Sequence, residues 1–209
     1  MRSISDQELF WKGSFGDEYT ARNAGASNHV SANIAMFAKV LKNAVQNLAA
    51  GSIIEFGSNV GLNLIALKAL LPYAELTGVE INEKAFNELK KIEYIKTHNA
   101  SIYDFPLERA WDLAFTKGVL IHQLPELLPK AYEILYKASQ KYILIAEYYN
   151  PSPVEINYRG YSSVLFKRDF AGEMMERYPD LVLNDYGFVY HKDYLFPQDD
   201  LTWFLLEKK

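Results

Sequence analysis

The chain of 209 residues contains no cysteine. This absence excludes disulfides and thiolate metal sites, and it is typical of a protein from a reducing compartment, so we expect a cytoplasmic location. The sequence also lacks a closely spaced motif of histidines and carboxylates. We therefore expect that no metal is required.

Basic residues are scarce as well. The 22 Lys and Arg are outnumbered by 26 Asp and Glu, which gives a net charge of -4, and no long basic run occurs. Because proteins bind a nucleic-acid backbone mainly through clustered basic side chains, nucleic acid is not an expected partner. The apolar runs are far shorter than the ~20 residues that a membrane span needs, so no membrane partner is expected either.

The hydrophobic pattern indicates an α/β protein. Apolar runs typical of buried strands alternate with stretches of helical period, which predicts a Rossmann-like, mostly parallel sheet with helices on both faces. After a last helix, two β-rich runs suggest an antiparallel C-terminal hairpin. The predicted strands are 52–56, 75–80, 94–98, 112–116, 141–147, 181–190 and 201–207, and the predicted helices are 62–71, 83–91, 125–139 and 163–177.

An N-terminal helical extension precedes this core. Residues 27–48 place apolar side chains at helical spacing, so the segment is suited to cover the sheet. No repeat or Gly/Ser-rich linker divides the chain. We therefore expect a single domain over residues 1–209, with a helical cap at 1–50 and the Rossmann-like core at 51–209.

The most specific local signal is the segment IIEFGSNVGLN at residues 53–63, an apolar strand followed by a glycine-containing turn and a helical pattern. Parallel sheets bind ligands in the crevice at the carboxyl ends of their strands. Gly57 and Gly61 allow backbone to approach a ligand closely. Asn59 occupies the middle position of the usual three-glycine turn, and Asn is the residue that best replaces Gly in left-handed geometry.

The same turn separates two possible cofactors. A nicotinamide dinucleotide favours glycine at positions 59 and 62, where this chain has Asn59 and Leu62. Glu55 places a carboxylate at the strand end, which repels a pyrophosphate and attracts the ammonium of a methionine moiety. The turn therefore favours S-adenosylmethionine (SAM) over NAD.

The next two strands also end in polar residues. Glu80 follows the second strand, where a carboxylate can accept hydrogen bonds from both ribose hydroxyls, although a strand-end Glu is often only solvated or a helix cap. Asn99, Ala100 and Ser101 follow the third strand as candidates for contacts with adenine. The complete set of predicted cofactor-binding residues is Glu55, Gly57, Asn59, Gly61, Leu62, Glu80, Ile81, Asn99, Ala100, Ser101, Lys117 and Gly118.

Together these motifs resemble those of the class I SAM-dependent methyltransferases over residues 52–147. The segments FWKGSFGDEY at 10–19 with Arg22 and Asn23, and FTKGVLIH at 115–122, further resemble the pseudaminic-acid-biosynthesis-associated methylases over most of the chain. The resemblance implies a seven-stranded sheet of order 3-2-1-4-5-7-6. It also implies methyl transfer to a small polar acceptor, a sugar or nucleotide-sugar of a nonulosonic acid pathway.

The acceptor is expected near the segment after the fourth strand. His122 is the candidate general base because imidazole accepts a proton near neutral pH, although a histidine that opens a helix is often a packing residue. Two segments, 11–23 and 148–163, are suited to close the site. Arg159 would pair with an anionic group of the acceptor, or it is simply solvated. The predicted acceptor-binding residues are Trp11, Tyr19, Arg22, Tyr148, Tyr158 and Arg159.

Two other functions remain compatible with the sequence: a nucleotide-binding module without catalysis, and an NAD(P)-dependent oxidoreductase. Fold alone does not separate them from a methyltransferase. The sequence also leaves open whether oxygen, nitrogen or carbon is methylated, whether a base is required, and the oligomeric state.

Overall fold

A seven-stranded mixed sheet forms the centre of the computed structural model, which describes residues 3–23 and 27–209. The strand order is β3-β2-β1-β4-β5-β9-β8. β1 to β5 are parallel, and β9 is antiparallel to both β5 and β8. The strands are β1 (Ser52–Phe56), β2 (Glu75–Glu80), β3 (Ile95–Asn99), β4 (Trp111–Lys117), β5 (Ser139–Glu147), β6 (Val154–Glu155), β7 (Phe166–Lys167), β8 (Leu181–Phe188) and β9 (Thr202–Lys208).

Helices cover both faces of this sheet. The period of two along each strand divides the apolar side chains between two cores: Ile53 faces one and Ile54 the other. The first core lies under α3 and α5, and the second under α7 and α8. The helices are α1 (Asp6–Lys12), α2 (Ser14–Asn23), α3 (Ser27–Val40), α4 (Val45–Leu48), α5 (Leu62–Leu70), α6 (Glu83–Leu89), α7 (Leu128–Ala138) and α8 (Phe170–Arg177).

The predicted fold is confirmed. If the short β6–β7 pair is left out, the seven strands of the sheet follow the order 3-2-1-4-5-7-6 with an antiparallel C-terminal hairpin. Within the described residues, four helices precede β1, as the helical extension requires. α3 supplies Met36, Phe37 and Val40 to the core, so it covers the sheet as expected.

The predicted helix over residues 163–177 is wrong in its first half. Phe166 and Lys167 form a strand that pairs with Val154 and Glu155, and the helix begins only at Phe170. Local chemistry explains the late start, because the Asp169 side chain accepts a hydrogen bond from Gly172 N (2.8 Å) and so caps the helix.

The turn between β1 and α5 uses left-handed backbone three times. The φ angles are 79° at Gly57, 45° at Asn59 and 87° at Gly61. The expectation that Asn59 adopts the geometry of the missing glycine is therefore confirmed. At Gly57 space is also limiting, since a Cβ would lie 2.4 Å from Val119 Cγ2. The turn and the segment after β4 thus pack directly against each other.

A matched pair of substitutions tests this packing. Gly160 also has a left-handed φ, 88°, but a Cβ there would meet nothing within 4 Å in the described structure. Gly160→Ala should cost only the backbone strain, about 1 kcal/mol. Gly57→Ala should cost about 1–3 kcal/mol more, because the stiff Val119 side chain must move. Urea unfolding measures both, and equal losses would contradict the packing described here.

Candidate functional site

A cavity of about 740 Å³ opens at the carboxyl ends of β1, β2 and β4. This volume lies in the range of small-molecule sites, about 300–1,000 Å³. The cavity brings together twelve of the residues predicted from the sequence. They are Gly57, Asn59, Leu62, Glu80, Ile81, Ala100, Ser101, Lys117 and Gly118 among the cofactor candidates, and Trp11, Tyr19 and His122 among the others.

Glu80 lies at the end of β2, where its carboxylate joins two turns. One oxygen accepts a hydrogen bond from Asn59 N and the other from Asn82 N, both at 2.7 Å. Burial raises the pKa of Glu80, and the backbone N–H groups of Asn82, Asn59 and Ile81 oppose the shift. Each oxygen keeps a second lone pair, so the carboxylate can still accept two hydroxyl hydrogen bonds from a ligand in the cavity.

Acceptor oxygens without donors gather at the turn after β1. Asn63 Nδ2 donates to Glu55 Oε1 at 2.6 Å, while Asn63 Oδ1, Asn59 Oδ1 and Glu55 Oε2 are buried with no hydrogen-bond partner in residues 3–23 and 27–209. Asn59 and Asn63 line the cavity. Because unpaired buried acceptors are costly, the Asn59 and Asn63 oxygens are suited to a ligand that donates hydrogen bonds. Glu55 is fully buried behind them and does not line the cavity.

Lys117, at the end of β4, supplies a positive charge to the same cavity. Its Nζ donates to Asn33 Oδ1 of α3 at 3.1 Å. Burial lowers the pKa of Lys117, and the charges of Glu55 and Asp199 partly oppose that shift. Lys117 is the one Lys or Arg among the described residues that line the cavity.

Glu147, at the end of β5, fixes the turn that carries His122. Its carboxylate accepts hydrogen bonds from Val119 N and Leu120 N at 3.1 Å and from Ile121 N at 3.3 Å. Burial raises the pKa of Glu147 to about 7. These three hydrogen bonds to one buried carboxylate fix the backbone at the start of a short 3₁₀ turn, Leu120–His122.

His122 is buried, with 7% of its surface exposed, and lines the cavity. Its Nδ1 lies 2.7 Å from the Val164 carbonyl oxygen, so Nδ1 carries the proton and Nε2 keeps a lone pair. Burial lowers the pKa of His122 to about 4, which keeps the ring neutral near pH 7. The ring contacts Trp11, with centroids 4.7 Å apart, and Tyr158 at 5.5 Å.

The N-terminal helices are attached to the cavity by Asn82. Its Nδ2 donates to the Trp11 carbonyl oxygen (3.0 Å) and to Asp17 Oδ1 (2.9 Å), and its Oδ1 accepts from Ala85 N (2.9 Å). Gly16 permits this close approach, since a Cβ there would lie 1.9 Å from the Trp11 carbonyl oxygen. Asn82 therefore fixes Trp11 over the cavity.

The remaining predicted residues lie outside the cavity lining. Asn99 supports the site from behind, because its Nδ2 donates to the Glu80 carbonyl oxygen at 2.9 Å. Arg159 is exposed, and its guanidinium lies over the Tyr158 ring at 5.7 Å. The geometry therefore gives no support to an Arg159 contact with the acceptor. The predicted residues that do not line the cavity are Glu55, Gly61, Asn99, Arg22, Tyr148, Tyr158 and Arg159.

Sequence reasoning missed one whole wall of the cavity, the connection between β8 and β9. Thr202 pairs with Glu147, so the residues before β9 reach the same edge as the carboxyl end of β5. The antiparallel hairpin was predictable, and its register was the one signal for this wall. The missed lining residues there are His191, Tyr194, Leu195, Pro197, Gln198 and Asp199, and elsewhere they include Gln7, Asn33, Asn63 and Asn82.

Within the described ranges, no three His, Asp or Glu side chains are grouped so as to hold a metal ion. Over those same residues, no helix has the length and apolar character needed to cross a membrane.

No family model and no curated protein matches this sequence. Solved structures do match its fold. Magnesium protoporphyrin IX methyltransferase from Synechocystis PCC 6803 with bound SAM has a TM-score of 0.72 at 14% identity, with both chains fully covered. The 1,6-didemethyltoxoflavin-N1-methyltransferase of Burkholderia thailandensis, with 1,6-didemethyltoxoflavin and S-adenosylhomocysteine (SAH) bound, has a TM-score of 0.71 at 10% identity, covering 100% of this chain and 93% of that chain.

Streptomyces venezuelae DesVI is similar as well, with a TM-score of 0.64 at 11% identity over 94% of this chain and 99% of that chain. Identities this low establish the fold. The chain has the Rossmann-like fold found in SAM-dependent methyltransferases.

The buried Glu55 predicts a defined pH dependence of stability. Burial raises its pKa from 4.5 to about 8, so between about pH 5 and pH 8 the folded protein keeps a proton that the unfolded chain has lost. Stability should fall as pH rises through this window. Glu55→Gln removes that component, so the slopes of the two stability curves should differ by up to about 1.4 kcal/mol per pH unit.

Urea unfolding at a series of pH values measures the difference. The exposed Glu126 gives the control, since Glu126→Gln should leave the wild-type slope unchanged. Parallel curves for wild type and Glu55→Gln would contradict a strongly raised pKa at this position.

Proposed function

We propose that this protein binds SAM in the cavity and transfers its methyl group to a small polar acceptor. The observation that carries the proposal is the group of unpaired acceptor oxygens at the β1–α5 turn, with Lys117 on the same cavity. Oxygens that lack donors suit an ammonium group, and a lysine suits a carboxylate. An amino acid moiety carries both groups, and SAM contains one.

The other lining residues fit the rest of the cofactor. The Glu80 carboxylate is suited to the two ribose hydroxyls through its free lone pairs. Ala100 and Ser101 line the cavity beyond β3, where we expect adenine. Gly118, at which a Cβ would meet no described atom within 4 Å, leaves room beside the cofactor. The bound SAM and SAH of the structural neighbours support this assignment.

The reaction needs alignment more than it needs acid or base. SAM supplies a methyl group on a sulfonium; the acceptor lone pair forms the new bond to that carbon while the carbon–sulfur electrons stay on sulfur, which leaves SAH. Alignment of two reactants alone supplies roughly 7–11 kcal/mol of the rate enhancement. In this proposal His122, which lines the cavity and has an unprotonated Nε2, takes the proton that the acceptor loses.

For the acceptor we propose a sugar or nucleotide-sugar of a nonulosonic (pseudaminic) acid pathway. The resemblance of residues 10–19 and 115–122 to the pseudaminic-acid-associated methylases motivates this choice. Support comes from the position of those segments, since Trp11 and Tyr19 of the first and His122 of the second line the cavity together. Aromatic rings beside polar groups are suited to carbohydrate rings.

Cofactor binding is predicted to depend on Glu80. Calorimetry should detect binding of both SAM and SAH to the wild type and no binding of NAD. Glu80→Gln keeps the shape of the side chain but replaces one acceptor oxygen by a donor, so affinity should fall by about tenfold to a hundredfold. Glu83→Gln, an exposed change on α6, is the control and should bind normally. If neither SAM nor SAH binds the wild type, the proposed function is wrong.

Turnover is predicted to depend on His122. Labelled SAM should be incubated with activated nonulosonic acids, their amino-sugar precursors, peptides and RNA, and label should appear on a sugar. With that acceptor, His122→Ala should keep its affinity for SAH and lose about 10²-fold or more in rate. Label only on peptide or RNA would refute the sugar class, and unchanged turnover would leave His122 as a packing residue.

A further inference from the structure

Two unpaired polar atoms lie on one face of α1, beside His122. Gln7 is buried, with 6% of its surface exposed, and its Nε2 donates to the Ser163 carbonyl oxygen at 2.8 Å. The Gln7 Oε1 atom is buried without a donor anywhere in residues 3–23 and 27–209. Gln7 lines the cavity, so a donor group of a bound ligand is the natural partner for this oxygen.

Trp11 follows Gln7 by one helical turn and so lies on the same face of α1. Its Nε1 is buried and has no acceptor in the described part of the chain. The indole ring contacts the His122 ring and stands perpendicular to the Tyr19 ring, with centroids 5.4 Å apart. A buried indole N–H usually has a partner, so an acceptor atom of a ligand is the natural one here.

The backbone of residues 163–164 holds Gln7 and His122 side by side. Ser163 O accepts from Gln7, and the next carbonyl, that of Val164, bonds His122 Nδ1 at 2.7 Å. Neighbouring peptide groups thus fix both side chains. We call the part of the cavity lined by Gln7, Trp11 and His122 the recess. Its side chains supply one acceptor (Gln7 Oε1), one donor (Trp11 Nε1) and one lone pair (His122 Nε2) beside aromatic rings.

Two arginines lie near this recess but outside the cavity lining. The guanidinium groups of Arg22 and Arg159 lie over the Tyr19 and Tyr158 rings, at 5.6 and 5.7 Å, and both arginines are exposed. Lys117, the one Lys or Arg of the described cavity lining, is bonded to Asn33 of α3. A carboxylate or phosphate placed in the recess would therefore have no unbonded Lys or Arg of the described cavity lining to pair with.

We infer that Gln7, Trp11 and His122 form the acceptor subsite, and that it binds an uncharged polar ring which both donates and accepts hydrogen bonds. The inference rests on the proposed function. It narrows the acceptor, because among nonulosonic-pathway sugars it favours the neutral hydroxyl- or acetamido-bearing precursors over the acids. In this inference Gln7, Trp11 and His122, and not the exposed Arg159, are the side chains that select the acceptor.

The Trp11 indole N–H can be observed directly. The chain has 3 Trp, so ¹⁵N-tryptophan labelling gives three indole signals, and Trp11→Phe assigns the one of interest. Trp111 Nε1 already donates to Thr77 Oγ1 at 3.1 Å and serves as the internal reference. The SAH-saturated protein is titrated with the methyl glycoside of N-acetylglucosamine, a neutral ring, and separately with N-acetylneuraminic acid.

The neutral sugar should move the Trp11 signal downfield to saturation and leave the Trp111 signal in place. Gln7→Leu should weaken this sugar about tenfold, since a sugar donor loses its acceptor. Gln140→Leu is the control, because Gln140 is exposed and lies outside the cavity lining. Its one hydrogen bond among the described residues goes to the Ala110 carbonyl oxygen, so this variant should bind the sugar as the wild type does.

Three outcomes would overturn the subsite: tighter binding of the acid than of the neutral sugar, no shift of Trp11 with either, or a downfield shift produced by SAH alone. The last would make the cofactor the partner of Trp11. These outcomes differ from failure of the proposed function, in which SAH itself does not bind. The two ideas can therefore fail separately.

Discussion

The carboxylate of Glu80 connects the two turns on which the cavity depends. It accepts the N–H groups of Asn59 and Asn82, at 2.7 Å each, and so holds the turns after β1 and β2 in fixed relation. Asn82 in turn caps α6 and binds the Trp11 carbonyl oxygen. The turns after β1 and β2 and the N-terminal helices therefore belong to one hydrogen-bonded unit. We expect a change at the end of β2 to affect the N-terminal helices as well.

Glu147, at the end of β5, is a second buried acid that fixes a turn beside the cavity. Glu147 holds the turn of residues 119–121 through three backbone N–H groups, and this turn presents His122. Val119 also packs against Gly57, so the two sides meet at the β1 turn. Both acids have raised pKa values because they are buried. Burying two carboxyl groups costs free energy, and the backbone hydrogen bonds that they accept fix the turns around the cavity.

The sequence was sufficient to predict the sheet and the part of the cavity formed by the ends of its parallel strands. Strand ends in a parallel sheet share an edge, so the Gly57 turn, Glu80 and Lys117 could be placed together from their positions alone. Gln7 and the β8–β9 connection could not, because their places depend on how α1 and a distant hairpin pack. The contact predicted for Arg159 stays a prediction: its chemistry suits an anion, and the fold leaves the side chain exposed and outside the cavity lining.

Glu55 and Glu147 show a further limit. Sequence position identified Glu55 as a strand-end acid and suggested an ammonium partner for it. In the structure, Asn63 donates a hydrogen bond to the Glu55 carboxyl group, and backbone N–H groups from Val119 onward donate to the Glu147 carboxylate. Such partners come from turns whose geometry only the folded chain defines, so the roles of buried acids are the hardest to predict.

The central claim is that the cavity at the ends of β1, β2 and β4 is the SAM site. A crystal structure of the protein grown with SAH tests it most directly. The account predicts SAH in this cavity, with its ribose hydroxyls on the Glu80 carboxylate and its ammonium at the side-chain oxygens of Asn59 and Asn63. SAH bound elsewhere, or in the cavity with its ribose away from Glu80, would contradict it.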